Sequence, residues 1–170
     1  MLKHTLIILT FLIVFISCGE GKNPTNKINS KTRHIEVSNT EFEIECALTF
    51  INTYVDNSNK MNKSIEISDW VNSNSLTTKN FKTELKKIID DAYEEDPELG
   101  LDFDPIFDAQ DYPSEGFELE SLDKKTNYLT VRGKDWPEFK LTMKVINENG
   151  NCLVDGCGVV NIPDSKRASR

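Results

Sequence analysis

The sequence predicts an α+β domain, with N-terminal helices packed on one face of an antiparallel sheet meander. Three observations predict it. Apolar residues recur at three- and four-residue intervals in two stretches of the first half. From about residue 117 the period switches to two, and clusters of turn-forming residues separate the alternating runs. Helices followed by strands, rather than alternating with them, point to segregated layers.

The first helix is expected over 40–55. Thr40 and Glu43 have capping-box spacing, which puts a hydroxyl and a carboxylate beside the orphan N–H groups of a first turn. Ile44, Ala47, Leu48, Ile51 and Val55 then share one face, with Phe42, Cys46 and Phe50 as a neighbouring stripe. So wide an apolar arc predicts a helix well covered by other structure. Residues 56–64 are polar and turn-rich, and 65–75 carries Trp70-Val71, read as a short turn anchored by the indole. Thr77 or Thr78 caps a second helix reaching about Glu95, with Phe81, Leu85, Ile88, Ile89 and Ala92 on its buried face. Pro97 ends it, because proline disfavours helix in the residue before it.

Residues 94–118 are acidic and irregular. Strands follow over 117–120, 128–132, 139–145 and 153–162, the last stopped by Pro163, with turns at 123–127 and 147–151. The end of the chain, 164–170, reads as a loose tail.

Ahead of the domain lies a targeting signal. Residues 5–16 form an unbroken apolar run of about 18 Å as a helix, too short for a hydrocarbon core of about 30 Å, so a signal peptide over 1–17 is expected. Phe15-Ile16-Ser17-Cys18 resembles the bacterial lipobox, with Phe15 where leucine is more usual. Cys18 is therefore the expected lipidation site. Residues 18–38, rich in Asn, Lys, Ser and Thr, form a flexible tether, and 39–163 the domain. The expected location is the cell envelope, the protein anchored to the membrane through its N-terminal lipid and the domain outside the cytoplasm, in the periplasm or on the cell surface.

The net charge of −8 argues against a nucleic-acid partner, and no basic cluster supplies a membrane patch. The only histidines, His4 and His34, fall in the signal and the tether. Histidine-based triads are thereby excluded from the domain. No nucleotide-cradling glycine motif is present. No enzyme activity and no cofactor are expected.

The acidic middle carries a family resemblance. Leu101-Asp102-Phe103-Asp104-Pro105 followed by Asp108-Ala109-Gln110-Asp111 resembles the D-x-D-P…A-Q-D stretch of the DUF3828 family, small bacterial lipoproteins and periplasmic proteins without an established activity. Asp69-Trp70-Val71-Asn72-Ser73 ahead of a helix agrees with it, and so does the run from Asn149 to Asp155, apart from Cys152 at a position where an aromatic is commoner. The resemblance spans roughly 43–163 and implies an NTF2-like or cystatin-like cone.

Asp102, Asp104, Asp108 and Asp111 are the cation-ligand candidates. They depart from the EF-hand pattern, with Ile106 and Phe107 where a ligand and the turn glycine belong. Turn capping beside Pro105 is the stronger reading, so no metal is assigned. Trp136 is expected to be buried. Among Cys46, Cys152 and Cys157 one disulfide is expected, joining Cys46 to Cys152 or Cys157, with three buried thiols as the alternative. On a regular strand Cys152 and Cys157 face opposite ways, unless Gly156 or Gly158 makes a bulge.

The functional expectation is a lipid-anchored binding or accessory domain with an envelope protein as partner. One alternative is an immunity-type protein neutralising an exported toxin. Another is a small-ligand pocket protein or enzyme using Tyr54, Tyr93 or an aspartate.

Overall fold

The computed structural model describes the backbone of residues 29–169 and the side chains of 39–169. The signal segment, Cys18 and the first part of the tether lie outside the described residues. Three helices, α1 (Asn29–Ser58), α2 (Ile67–Ser73) and α3 (Lys79–Glu95), precede four strands, β1 (Phe117–Asp123), β2 (Tyr128–Gly133), β3 (Lys140–Glu148) and β4 (Asn151–Cys157). The strands form one antiparallel sheet in chain order, with α1 packed across β1, β3 and β4. This is the predicted α+β class.

Alternation along the strands decides which face meets α1. Leu129 and Val131 of β2 and Leu141, Met143 and Val145 of β3 are almost completely buried. Each such side chain contributes about 1.5–3 kcal/mol of burial, before the entropy of ordering the chain opposes it. From α1 they meet Ala47, Phe50, Ile51, Tyr54 and Val55. The expected helical face is therefore the buried one. Phe42 is the exception in its stripe and stands exposed.

Several boundaries differ from the sequence reading. The first helix begins at Asn29, so Thr40 lies inside it rather than capping it, and 29–38 is helical backbone where a flexible spacer was expected. Once a packed segment has nucleated a helix, each further residue costs little to add. Residues 67–73 form a two-turn helix, capped by the Glu66 side chain accepting from the Ser68 N–H at 2.8 Å, rather than a simple turn. Trp70 is buried there, against Phe50 and Tyr54. Of the two threonines offered as a cap for α3, Thr78 does the capping, its hydroxyl accepting from the Phe81 N–H at 2.9 Å. Thr77 instead bridges in parallel to Val154. Residues 76–78 thus cover part of the outer edge of β4, with Val154 N–H donating to Leu76 O and Thr78 N–H to Val154 O.

The last strand is shorter than expected. It stops at Cys157, and the chain folds back with Val160 bridged to Cys157. Gly158 makes this reversal: its φ is +62°, and a Cβ there would lie 2.4 Å from the carbonyl oxygens of Pro105 and Ile106. The 164–170 tail is not loose in its first residues. Asp164–Lys166 form a short 3-10 turn, and the Thr142 hydroxyl donates to Lys166 O at 2.9 Å, so the turn covers the outer face of β3. A buried hydroxyl without that acceptor would carry a desolvation cost. The β3–β4 connection is a two-residue Asn149-Gly150 hairpin with positive φ at both positions, the backbone that an Asn-Gly pair favours.

Candidate functional site

The acidic middle folds into a small closed loop. Asp104 and Ala109 exchange backbone hydrogen bonds of 2.9 and 3.3 Å, and Asp108 takes a positive φ of 53° to complete the turn. One carboxylate oxygen of Asp104, Oδ1, accepts from the N–H groups of Ile106 and Phe107 at 2.8 and 3.0 Å. The other, Oδ2, accepts from the Tyr54 hydroxyl of α1 at 2.5 Å. Gln110 closes the loop from outside, its Nε2 donating to Asp102 O at 2.9 Å. The Val159 N–H donates to Pro105 O at 2.9 Å, docking the loop on the reversal made by Gly158.

Burial raises the Asp104 pKa, against the opposing pull of the Tyr54 and backbone hydrogen bonds. Tyr54 is pushed up as well, first by burial and then by the neighbouring Asp104 carboxylate. Tyr54 is part of the packed core and Asp104 is half-buried at its margin, while Ile106 and Phe107 of the same loop are fully buried.

The four candidate aspartates do not converge. Asp104 turns inward, while Asp102 and Asp111 are exposed. Among the described residues no group of three His, Cys, Asp or Glu side chains is arranged to hold a metal ion. Asp104 plays the turn-capping part, with Tyr54 as a partner that sequence spacing could not reveal.

Aromatic rings run outward from this loop. Phe107 stacks on Tyr112 with centroids 4.6 Å apart and an interplanar angle of 11°. It also neighbours Phe117, which meets Phe139, which meets Trp136 at 5.2 Å. Trp136 corrects the sequence reading: it is 45 % exposed. Its position on the β2–β3 connection, beyond the strand alternation, leaves one ring face outside the core. It lines an open groove of about 420 Å³ with Ala109, Gln110, Asp111, Glu138 and Phe139. The A-Q-D half of the motif therefore forms one wall of the groove and the indole the other. The second candidate tyrosine, Tyr93, is exposed on α3, packed over Gly100, far in sequence and environment from the buried pair.

A buried carboxylate missed by sequence reasoning, Asp155, sits in β4 at the edge of the sheet. The β3–β4 register shifts so that Asp155 is the extra residue between Val154 and Gly156. The bulge aims its side chain at Thr78, whose hydroxyl donates to Oδ1 at 2.9 Å, and at Lys144, whose Nζ lies 2.9 Å from Oδ2. Burial pushes the Asp155 carboxyl up, but the hydrogen bonds from Lys144 and Thr78 outweigh it and hold its pKa down. Lys144 is raised by the same contact.

The bulge also brings Cys157 back to the core side, so Cys152 and Cys157 are both buried despite their odd spacing. Cys46, Cys152 and Cys157 are free thiols. The interaction between Cys46 and Cys152 lowers the pKa of Cys46 and, with burial, raises that of Cys152. Cys157 instead points at Ile106 O, 3.5 Å away, and burial pushes its thiol well up.

The architecture and these sites define a small α+β domain with a buried carboxylate–tyrosine brace under a surface groove. No protein-family model matches the sequence, and no curated protein or solved structure matches it significantly. Among the described residues no helix is long and apolar enough to cross a membrane.

Proposed function

We propose that this protein is a lipid-anchored cell-envelope domain that binds a protein partner rather than transforming a substrate, with the Trp136 groove as its contact face. The groove is the observation that carries the reading. An indole 45 % exposed is held from behind by Phe139, and Asp111 and Glu138 stand beside it. Aromatic side chains with one face presented to solvent are the usual anchors of interfaces. The flanking carboxylates and the overall charge of −8 select for a positively charged side chain, lysine or arginine, laid over the ring. Such a cation–π contact is worth about 0.5–1 kcal/mol when exposed and about 2 kcal/mol when the partner excludes water.

Two further features support the reading. The lipobox-like Phe15-Ile16-Ser17-Cys18 supplies an anchor outside the cytoplasm, and the likeness of 101–111 to DUF3828 fits a small envelope protein. Tyr54 and Asp104, the side chains best suited to acid–base work, spend their hydrogen-bonding capacity on each other and on the loop backbone. A catalytic group needs a free approach for substrate, and Tyr54 is buried.

Crosslinking pull-down from envelope extracts tests the groove. The wild-type chain is expected to capture a partner, and Trp136→Ala or Glu138→Lys to lose at least about 5-fold of it, about 1 kcal/mol by the usual conversion. Equal capture by all three refutes the groove; no partner under mild crosslinking refutes the binding reading. Labelled palmitate tests the anchor, and label surviving in Cys18→Ser would refute it.

A further inference from the structure

We infer that Cys46 and Cys152 join in one disulfide that staples α1 to β4 when the protein meets a disulfide-bearing oxidant, and that Cys157 remains a thiol. Both members of the pair are buried in one core cluster where α1 packs on β4, and each thiol perturbs the other electrostatically. Cys152 lies one residue into β4, opposite Asn147. A disulfide needs two β-carbons within about 4.5 Å and backbones within about 7 Å.

Cys157 lies outside that reach. Five residues, one of them the bulged Asp155, separate it from Cys152, a span of up to roughly 16 Å at about 3.3 Å each, so a side chain beside Cys152 does not also lie beside Cys157. Its own surroundings are the motif loop, with Ile106 O as the nearest polar partner. The structure thus chooses between the two pairings that the sequence leaves open.

The chemistry balances as thiol–disulfide exchange. One thiolate of the pair attacks a sulfur of the oxidant's disulfide, forming a mixed disulfide and releasing the oxidant's first thiol. The second cysteine then attacks the mixed disulfide and displaces the oxidant's other thiol. The pair loses two protons and two electrons, and the oxidant's disulfide is reduced to two thiols. Residues 46 and 152 are about one hundred positions apart, so the link constrains a long stretch of the unfolded chain.

This inference stands apart from the groove reading, since it needs only the packing of α1 on β4. The test uses the full chain carrying Cys18→Ser, which removes the fourth cysteine. The protein is reduced, refolded in a glutathione redox buffer, alkylated without further reduction and mapped by peptide mass spectrometry. The expected map shows a Cys46–Cys152 linked peptide and alkylation at Cys157 alone once the chain is unfolded. Oxidation is expected to raise Tm by about 10 °C, in Cys157→Ser as in its parent, and not in Cys46→Ser or Cys152→Ser. Three alkylated thiols after oxidative refolding, or any linkage through Cys157, would overturn the inference. The unaltered chain, trapped from cells with thiols blocked at lysis, separates this result from localisation. A linked pair there supports an oxidising compartment. Three free thiols in cells beside a linked pair on refolding keep the pairing and overturn the envelope reading.

Discussion

Asp104, half-buried, and Asp155, buried, are both drawn away from solvent, and they are held in opposite ways. Asp104 is met by neutral donors, the Tyr54 hydroxyl and two backbone N–H groups, and its pKa rises. Asp155 is met by the Lys144 ammonium as well as the Thr78 hydroxyl, and its pKa falls. Burial disfavours both anions, so the sign is decided by whether a cation answers it. Asp155 ties α3, β3 and β4 together at one sheet edge. Asp104 folds a loop whose outer wall is the groove. Asp104 of the D-x-D-P stretch is thus a brace, which leaves the A-Q-D stretch for the surface.

Asp104→Ala is expected to have the largest effect, costing about 3 kcal/mol, because it strands a buried hydroxyl and two N–H groups at once. Urea melts check the value, and a loss below about 1 kcal/mol would mean that the brace is not needed. Asp155→Ala should cost less, about 2 kcal/mol, since Lys144 is partly exposed and regains water when its partner is removed.

The pH dependence sharpens the contrast with smaller effects of opposite sign. The folded pKa of Asp155 lies below the ordinary 3.8, so its contribution is full above 3.8 and is lost as pH falls through the folded value. The advantage of wild type over Asp155→Asn should therefore shrink in acid. The folded pKa of Asp104 lies above 3.8, so its contribution is full below 3.8 and is lost as pH rises through the folded value. Wild type should gain on Asp104→Asn as pH falls through that window. Parallel stability curves for the two variants would contradict the assignment. Trp136→Ala should be the mildest in stability, under about 1 kcal/mol, because one ring face already meets water and the Phe139 contact is a single aromatic pair. A thermal melt that drops steeply would make Trp136 a core residue rather than a contact residue.

Much of the fold was legible in the sequence. The apolar faces of 44–55 and 81–92 named the helices, and alternation from residue 117 named the strands to within a few residues. Such periodicities report burial directly, since a residue facing the core recurs with the geometry of its own element. Thr78 and Pro97 marked the ends of α3 for equally local reasons. The sites were less legible. Asp104 read as a turn former, which it is, yet its partner Tyr54 lies fifty residues earlier. The bulge at Asp155 leaves no mark in alternation that would distinguish it from an ordinary strand residue. Trp136 followed the general tendency of indoles to be buried until the β2–β3 connection carried it past the core.

By itself, then, the sequence determined the α+β class, the order of its elements and the short-range devices that start and stop them, because each rests on residues within a turn or two of one another. It also carries, at Cys18, the chemistry from which an envelope address is argued. Only the tertiary structure decided which carboxylate meets a cation, which cysteine meets Cys46 and which aromatic reaches solvent. Those outcomes depend on how α1, the 101–111 loop and β4 are brought together, and contacts across such long stretches of chain exist only once the elements have packed.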